Sequence, residues 1–145
     1  MGAETIAVAS DHAGFDLKED IKEDLKARGF DVLDLGCHGP ESVDYPDFGI
    51  AMGKAIASGD AKRGVVVCGS GIGISIAANR NPAVRAALVQ TGLAARLARQ
   101  HNDANVLALG ARLIGVETAR DCVDNFLNTD FEGGRHQRRV DKLGA

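Results

Sequence analysis

Cys68 ends a short β-branched run, Val65-Val66-Val67, and is followed by glycines at alternate positions in Gly69-Ser70-Gly71-Ile72-Gly73. The apolar run reads as a strand buried on both faces. Ile74, Ile76, Ala77 and Ala78 read as the opening of a helix packed on it. Gly69, Gly71 and Gly73 let the backbone take conformations that side chains forbid. A strand, a glycine turn and a helix N-terminus in that order predict a nest of backbone N–H groups facing one point, and that point suits an anion. A thiol at the lip of the nest ionises more readily than a free one. The same residues also read as a buried cysteine beside an ordinary tight turn, since cysteine is among the most buried residue types.

Other residues of reactive type stand at the ends of expected elements. Asp11-His12 directly follows the first apolar run, where it reads either as chemistry or as a capping aspartate beside a surface histidine. Tyr45, the one tyrosine, is expected in a loop from Gly36 to Asp47 that contains Gly39-Pro40 and Tyr45-Pro46. His101-Asn102-Asp103 closes a helix, a place where the helix dipole alone favours a histidine. Arg112 follows the last strand. Arg135, Arg138, Arg139 and Lys142 gather near the end of a chain whose net charge is −3. A local basic cluster fits a single phosphate group, which arginine can hold bidentately, or a solvated helix face.

The elements that must position these residues alternate. Strands are expected at Thr5–Ser10, Val32–Leu35, the run ending at Cys68, Val84–Val89 and Asn105–Leu109. Helices follow each, marked by Leu17/Ile21/Leu25, by Phe48/Ala51/Met52/Ala55/Ile56, by Leu93/Leu97/Ala98/His101 and by Val116/Ala119/Cys122/Val123/Phe126/Leu127. A short basic helix is expected from about residue 134. The pattern predicts one α/β domain over residues 1–145, a Rossmann-like three-layer sandwich with a five-stranded parallel sheet in the order 2-1-3-4-5. Ligands of such sheets bind at the carboxyl ends of the strands where the order reverses. That reversal, between strands one and three, would bring Asp11-His12 and Cys68 to one crevice.

Composition excludes several classes. Hydrophobic residues make up 45% and charged ones 26%, with no tryptophan, as in ordinary soluble domains. The acidic balance does not invite nucleic acid. No apolar run is long enough to span a bilayer. No signal peptide is visible at Met1-Gly-Ala-Glu-Thr-Ile6. Cys37, Cys68 and Cys122 form no C-x-x-C pair and suit a reducing, cytoplasmic compartment. The four histidines show neither H-x-x-x-H nor H-E-x-x-H spacing. G-x-G-x-G is not the dinucleotide fingerprint, and no acid lies about twenty residues on to hold a ribose.

Taken together, Ser10-Asp-His-Ala-Gly14, Asp44-Tyr-Pro46, Cys68 to Asn79, Arg99-Gln-His-Asn-Asp103 and Gly133-Gly-Arg-His-Gln-Arg-Arg139 resemble the motifs of the type B ribose-5-phosphate isomerases, a family that includes the galactose-6-phosphate isomerase subunits. The resemblance runs from near the first residue to near the last. It implies interconversion of ribose 5-phosphate and ribulose 5-phosphate through a cis-enediol, with no metal and no cofactor. By position, Cys68 resembles the base, Ser70 the hydroxyl that shuttles protons on the sugar oxygens, and the amides of Gly69 to Ile74 the oxyanion site. Asp11 and His101 are similar to the ring-opening residues. His12, Arg135 and Arg139 resemble the phosphate clamp, Tyr45 and Asn102 contacts to sugar hydroxyls, and Arg112 a further contact. A branch of the family without the cysteine carries a glutamate where Ile74 stands here. The family also implies a homodimer with shared sites, sometimes paired into a tetramer. Competing expectations are a six-carbon sugar phosphate as substrate, a nucleotide-binding oxidoreductase, and a non-catalytic sugar-phosphate sensor.

Overall fold

The computed structural model describes residues 2–144. Five parallel strands, β1 (Thr5–Ser10), β2 (Asp31–Asp34), β3 (Arg63–Cys68), β4 (Ala86–Leu88) and β5 (Val106–Gly110), form one sheet. Between and after them run α1 (Phe15–Ala27), α2 (Tyr45–Ser58), α3 (Ile72–Ala78), α4 (Gly92–Asn102), α5 (Val116–Asn128) and α6 (Arg135–Leu143). The buried strands β1, β3 and β5 read as near-continuous aliphatic runs because both faces are covered. One core lies under α1, α4 and α5, where Ile21, Leu25, Ala95, Val123 and Phe126 meet Val65, Val67 and Leu107. The other lies under α2 and α3, where Met52, Ile74 and Ala78 meet Val66, Cys68 and Ala108.

The strand order is 2-1-3-5-4, not 2-1-3-4-5. The apolar β5, buried at every residue, takes the inner place beside β3. Strand β4 has only three residues, is partly exposed along its length, and sits at the edge. The reason is burial: an inner strand needs two apolar faces, and Leu88 is 36% exposed where β5 residues are not. The exchange reverses one crossover. Right-handed connections then put α3 on one face of the sheet and α4 on the other, in agreement with the two cores. The reversal between β1 and β3 is unaffected. Tyr45 is also corrected, because it is the first residue of α2 rather than a loop residue. Pro46 in that first turn forfeits no intrahelical hydrogen bond.

The loop after β2 is anchored by a buried ion cluster. Lys18 on α1, 1% exposed, donates to Asp34 Oδ1 and Oδ2 at 2.8 and 2.9 Å, and Lys22 donates to Asp34 Oδ2 at 2.7 Å. The Gly36 amide donates to Asp34 Oδ1 at 2.9 Å. Burial alone would raise the Asp34 pKa, but the hydrogen bonds from Lys18, Lys22 and Gly36 outweigh it and hold the group at about 2, below its ordinary 3.8. A depressed carboxylate pKa contributes stability that is fully present above pH ~4 and is lost as pH falls through about 2. Asp34→Asn leaves the buried Lys18 charge only Glu19, at 3.3 Å, so it should cost about 3 kcal/mol at pH 7. Urea midpoints from pH 7 down to pH 2 should show that gap narrowing below pH ~4; a gap independent of pH would mean the cluster contributes no ionic stability.

Candidate active site

Strand β3 delivers Cys68 to the carboxyl edge of the sheet, directly before the glycine turn. Gly71 has φ +77°, and a Cβ placed there would lie only 2.8–3.0 Å from the Leu109 backbone, so a side chain meets both strain and a clash. That turn swings the Gly71 amide back onto the sulfur, and its N–H donates to Cys68 Sγ at 3.1 Å. The Ile72 amide donates to Ser70 Oγ at 3.1 Å. Two of the nest's N–H groups therefore already point at the candidate base and the candidate hydroxyl. Any Cβ at Gly73 would collide with the Tyr45 ring, so the N-terminus of α2 closes against the nest through a position that only glycine can fill.

Around Cys68 lies a cleft of about 550 Å³ lined by Asp11, Tyr45, Gly69, Ser70, Ile72, Gly73, Ile76, Arg112 and Leu113. The Arg112 backbone is tied down by its amide donating to Gly69 O at 2.9 Å, and its guanidinium passes over Gly69. Asp11 is buried, with Oδ1 accepting from the Gly14 amide at 3.0 Å at the start of α1. The capping alternative for Asp11 is thus partly real, and it leaves Oδ2 for other work. His12 Nδ1 accepts from the Val43 amide at 3.1 Å. That bond fixes the neutral tautomer with the proton on Nε2, turning that N–H into a donor.

His101, Asn102, Arg135 and Arg139 do not reach this cleft. Asn105, at the amino end of β5, accepts from the Gly64 amide, while Gly110 pairs with Cys68 at the other end. Cys68 and the end of α4 are therefore separated by the depth of the sheet, roughly 13 Å at ~3.3 Å per residue, and by its two faces. His101 instead stacks on His136 of α6, with ring centroids 4.5 Å apart. Asn102 lines a separate hollow with Asn79, Arg85 and Leu143. Arg135 and Arg139 lie exposed on α6. A larger cleft of about 710 Å³ at the amino edge holds Arg63, Arg85 and Arg99. Those arginines are paired with Glu4 and Asp103, at 2.7 to 3.4 Å, so they are not free to hold a ligand.

His136 and Glu132 escaped the sequence reading. Burial, then the neighbouring His101 and Arg135, pushes the His136 imidazole below its ordinary range. The four-residue spacing from Glu132 to His136 was visible, but Gly133 and Gly134, both at positive φ, break the helix between them.

A model of the ribose/galactose isomerase family matches residues 6–143. The chain belongs to that family. It is 45% identical over 140 residues to ribose-5-phosphate isomerase B of Escherichia coli, covering 97% of this chain and 94% of that one. The ribose-5-phosphate isomerase B of Clostridium thermocellum superposes with a TM-score of 0.95 at 53% identity, covering 97% of this chain and 95% of the other. The Mycoplasma genitalium enzyme with bound ribulose 5-phosphate superposes with a TM-score of 0.92 at 44% identity, covering 99% and 95%.

All three cysteines are free and buried, but Cys68 alone among them lines the cleft. Burial pushes the Cys122 thiol up to about 11. Iodoacetamide should label Cys68 before Cys37, because Cys68 opens on the cleft, and Cys122 last, because its thiol resists ionisation. Peptide mapping over time reads that order directly, and early labelling of Cys122 would contradict this account of the site.

Proposed function

We propose that this protein is an aldose–ketose isomerase that interconverts ribose 5-phosphate and ribulose 5-phosphate through a cis-enediol(ate), a step of the pentose phosphate pathway. The observation that carries the reading is the Gly71 N–H held 3.1 Å from Cys68 Sγ inside a cleft that also holds Asp11, Ser70 and Arg112. Moving a proton between C1 and C2 needs one base that serves both carbons from one side, and Cys68 takes that role. Charge builds on the sugar oxygen as the proton leaves, and preorganised amides of the Gly69–Ile74 turn stabilise it there. Ser70 shuttles the hydroxyl protons. The reaction is redox-neutral overall, so the reading requires no cofactor.

The remaining roles need a second copy of the chain. In this reading Asp11 and the partner's His101 open the furanose ring. The Nε2–H of His12 and the partner's Arg135 and Arg139 hold the phosphate. Tyr45 and the partner's Asn102 bind sugar hydroxyls, and Arg112 adds a contact. Two facts favour such a homodimer with two shared sites. His101, Asn102, Arg135 and Arg139 lie on the far side of the sheet from their own Cys68. At the rim of the Cys68 cleft, Ile72 and Ile76 are each 50% exposed and Leu113 is 54% exposed, the kind of apolar patch that marks an interface. Pairing of two dimers would give a tetramer. The whole of residues 1–145 acts as one domain in this proposal, in the cytoplasm. No helix of the described residues is long and apolar enough to cross a membrane.

The deciding assay runs ribose 5-phosphate and ribulose 5-phosphate beside six-carbon sugar phosphates. Cys68→Ala should keep the fold and lose at least ~10²-fold in kcat; turnover within a few-fold of the parent would remove Cys68 as the base. Arg139→Ala loses a charge-assisted bond and should raise KM about tenfold. Shared sites make a sharper prediction. Co-refolding inactive Cys68→Ala with inactive His101→Ala chains should restore roughly a quarter of parental activity, since half of the assorted dimers then carry one intact site. No recovery in verified hybrids would mean that each site is built within one chain.

A further inference from the structure

Away from the Cys68 cleft, the described residues hold a cluster of metal-ligating side chains. His101 ends α4, Glu132 lies before the Gly133-Gly134 turn, and His136 is on the first turn of α6. One ligand atom from each lies within 4.8 Å of the others. The two imidazoles are nearly parallel, 16° apart, with centroids at 4.5 Å. His136 is buried, yet among the described residues its Nε2 has no hydrogen-bond partner. The nearest carboxylate oxygen, Glu132 Oε1, stands 3.5 Å away, too far to satisfy it. A buried ring nitrogen left without a partner is an unmet demand at the centre of this group.

Two imidazoles and one carboxylate are a donor set that binds zinc with the fourth position open. Imidazole-rich sites select zinc, cobalt, nickel or copper over magnesium or calcium. Ligand atoms around such an ion stand ~3.3 Å apart when each bond is ~2.0–2.1 Å. His136 is held by packing and would be the fixed ligand. Glu132 is half exposed, and His101 ends its helix and is only partly buried, so both can close the difference by side-chain rotation. Arg135 and Arg139, on the same helix, oppose a cation, while Glu132 favours one. A modest, reversible affinity follows from that balance.

We propose that His101, Glu132 and His136 form a binding site for a divalent ion of the zinc class, and that its occupancy withdraws the His101 imidazole from proton transfer and so inhibits the enzyme. The binding half stands on the cluster alone. The inhibitory half rests on the reading of His101 as a ring-opening residue.

Cobalt(II) is the probe. Titration followed by calorimetry and visible absorption should give one ion per chain in the parent and in Cys68→Ala, without a thiolate charge-transfer band. Glu132→Gln and His136→Gln should each weaken binding at least tenfold. Should His136→Gln fail to fold, the half-exposed Glu132→Gln still decides the question. Zinc should inhibit the parent on ribose 5-phosphate, while Glu132→Gln keeps parental activity and resists the ion. Binding that ignores both substitutions, or that disappears in Cys68→Ala, overturns the site and places the ion on the thiol. Binding as described with no loss of turnover overturns the inhibitory half and the ring-opening role of His101, and leaves the metal site standing.

Discussion

Right-handed crossovers constrain this molecule more than any single contact does. From β3 the chain skips a place to β4, and from β4 it steps back to fill that place with β5. A move in one direction puts the connecting helix on one face, and a move back puts the next helix on the other. So α3, which begins at the glycine turn, and α4, which ends at His101, cannot share a face. Every reactive residue contributed by β1 and β3 lies at the carboxyl edge. Those contributed by α4 and α6 lie at the other end of the sheet, behind it. A chemistry that uses both sets needs two chains, so in the proposed reading association is part of building the site.

Around the Cys68 cleft, position is set largely by residues outside its lining. Lys18 and Lys22 clamp Asp34, and Asp34 in turn accepts from the Gly36 amide. Gly36 O and the Cys37 amide bond to Ser10, next to Asp11. Further along the same loop the Val43 amide fixes the tautomer of His12. The ion cluster and the histidine proton are thus joined by one stretch of backbone. The packing of Gly73 on Tyr45 does the same on the other side, locking the start of α2 to the amide nest. Preorganisation of this kind is what lets a few weak dipoles act on a developing charge, because nothing must reorient when the proton moves.

Much of this could be read from the chain. The alternation of aliphatic runs with amphipathic stretches gave the five parallel strands. The run Val65 to Gly73 gave the nest, and Asp11-His12 gave its neighbour across the strand reversal. The order of β4 and β5 was legible in part. Val106-Leu-Ala-Leu-Gly110 is apolar throughout, as an inner strand must be, whereas Arg85 and the exposed Leu88 bracket a strand fit for the edge. The helical start at Tyr45 was masked by Pro46, which signals a turn and a first helical turn equally well. The division of the site was not legible, because i,i+4 spacing tells which face of a helix a residue takes but not which end of the sheet that helix reaches. The pairing of His101 with His136 spans 35 positions and depends on the docking of α6, for which no local signal exists.

That docking ties the separated elements to one another. Helix α6 is strongly polar, and its buried residues are His136 and Val140. Its hold on α4 therefore rests on few buried residues, and one of them, His136, stacks on His101. Arg135 and Arg139 flank His136 on the same helix and go where that stack puts them. The histidine read as a ring opener and the arginines read as a phosphate clamp are consequently set by one contact. In the proposed reading, a shift of α6 moves both ends of the sugar's environment together: the phosphate at its C5 end and the proton transfer at its ring oxygen. The coupling makes mechanical sense, because a substrate held by its phosphate reaches the ring-opening groups in register only if clamp and histidine move as a unit.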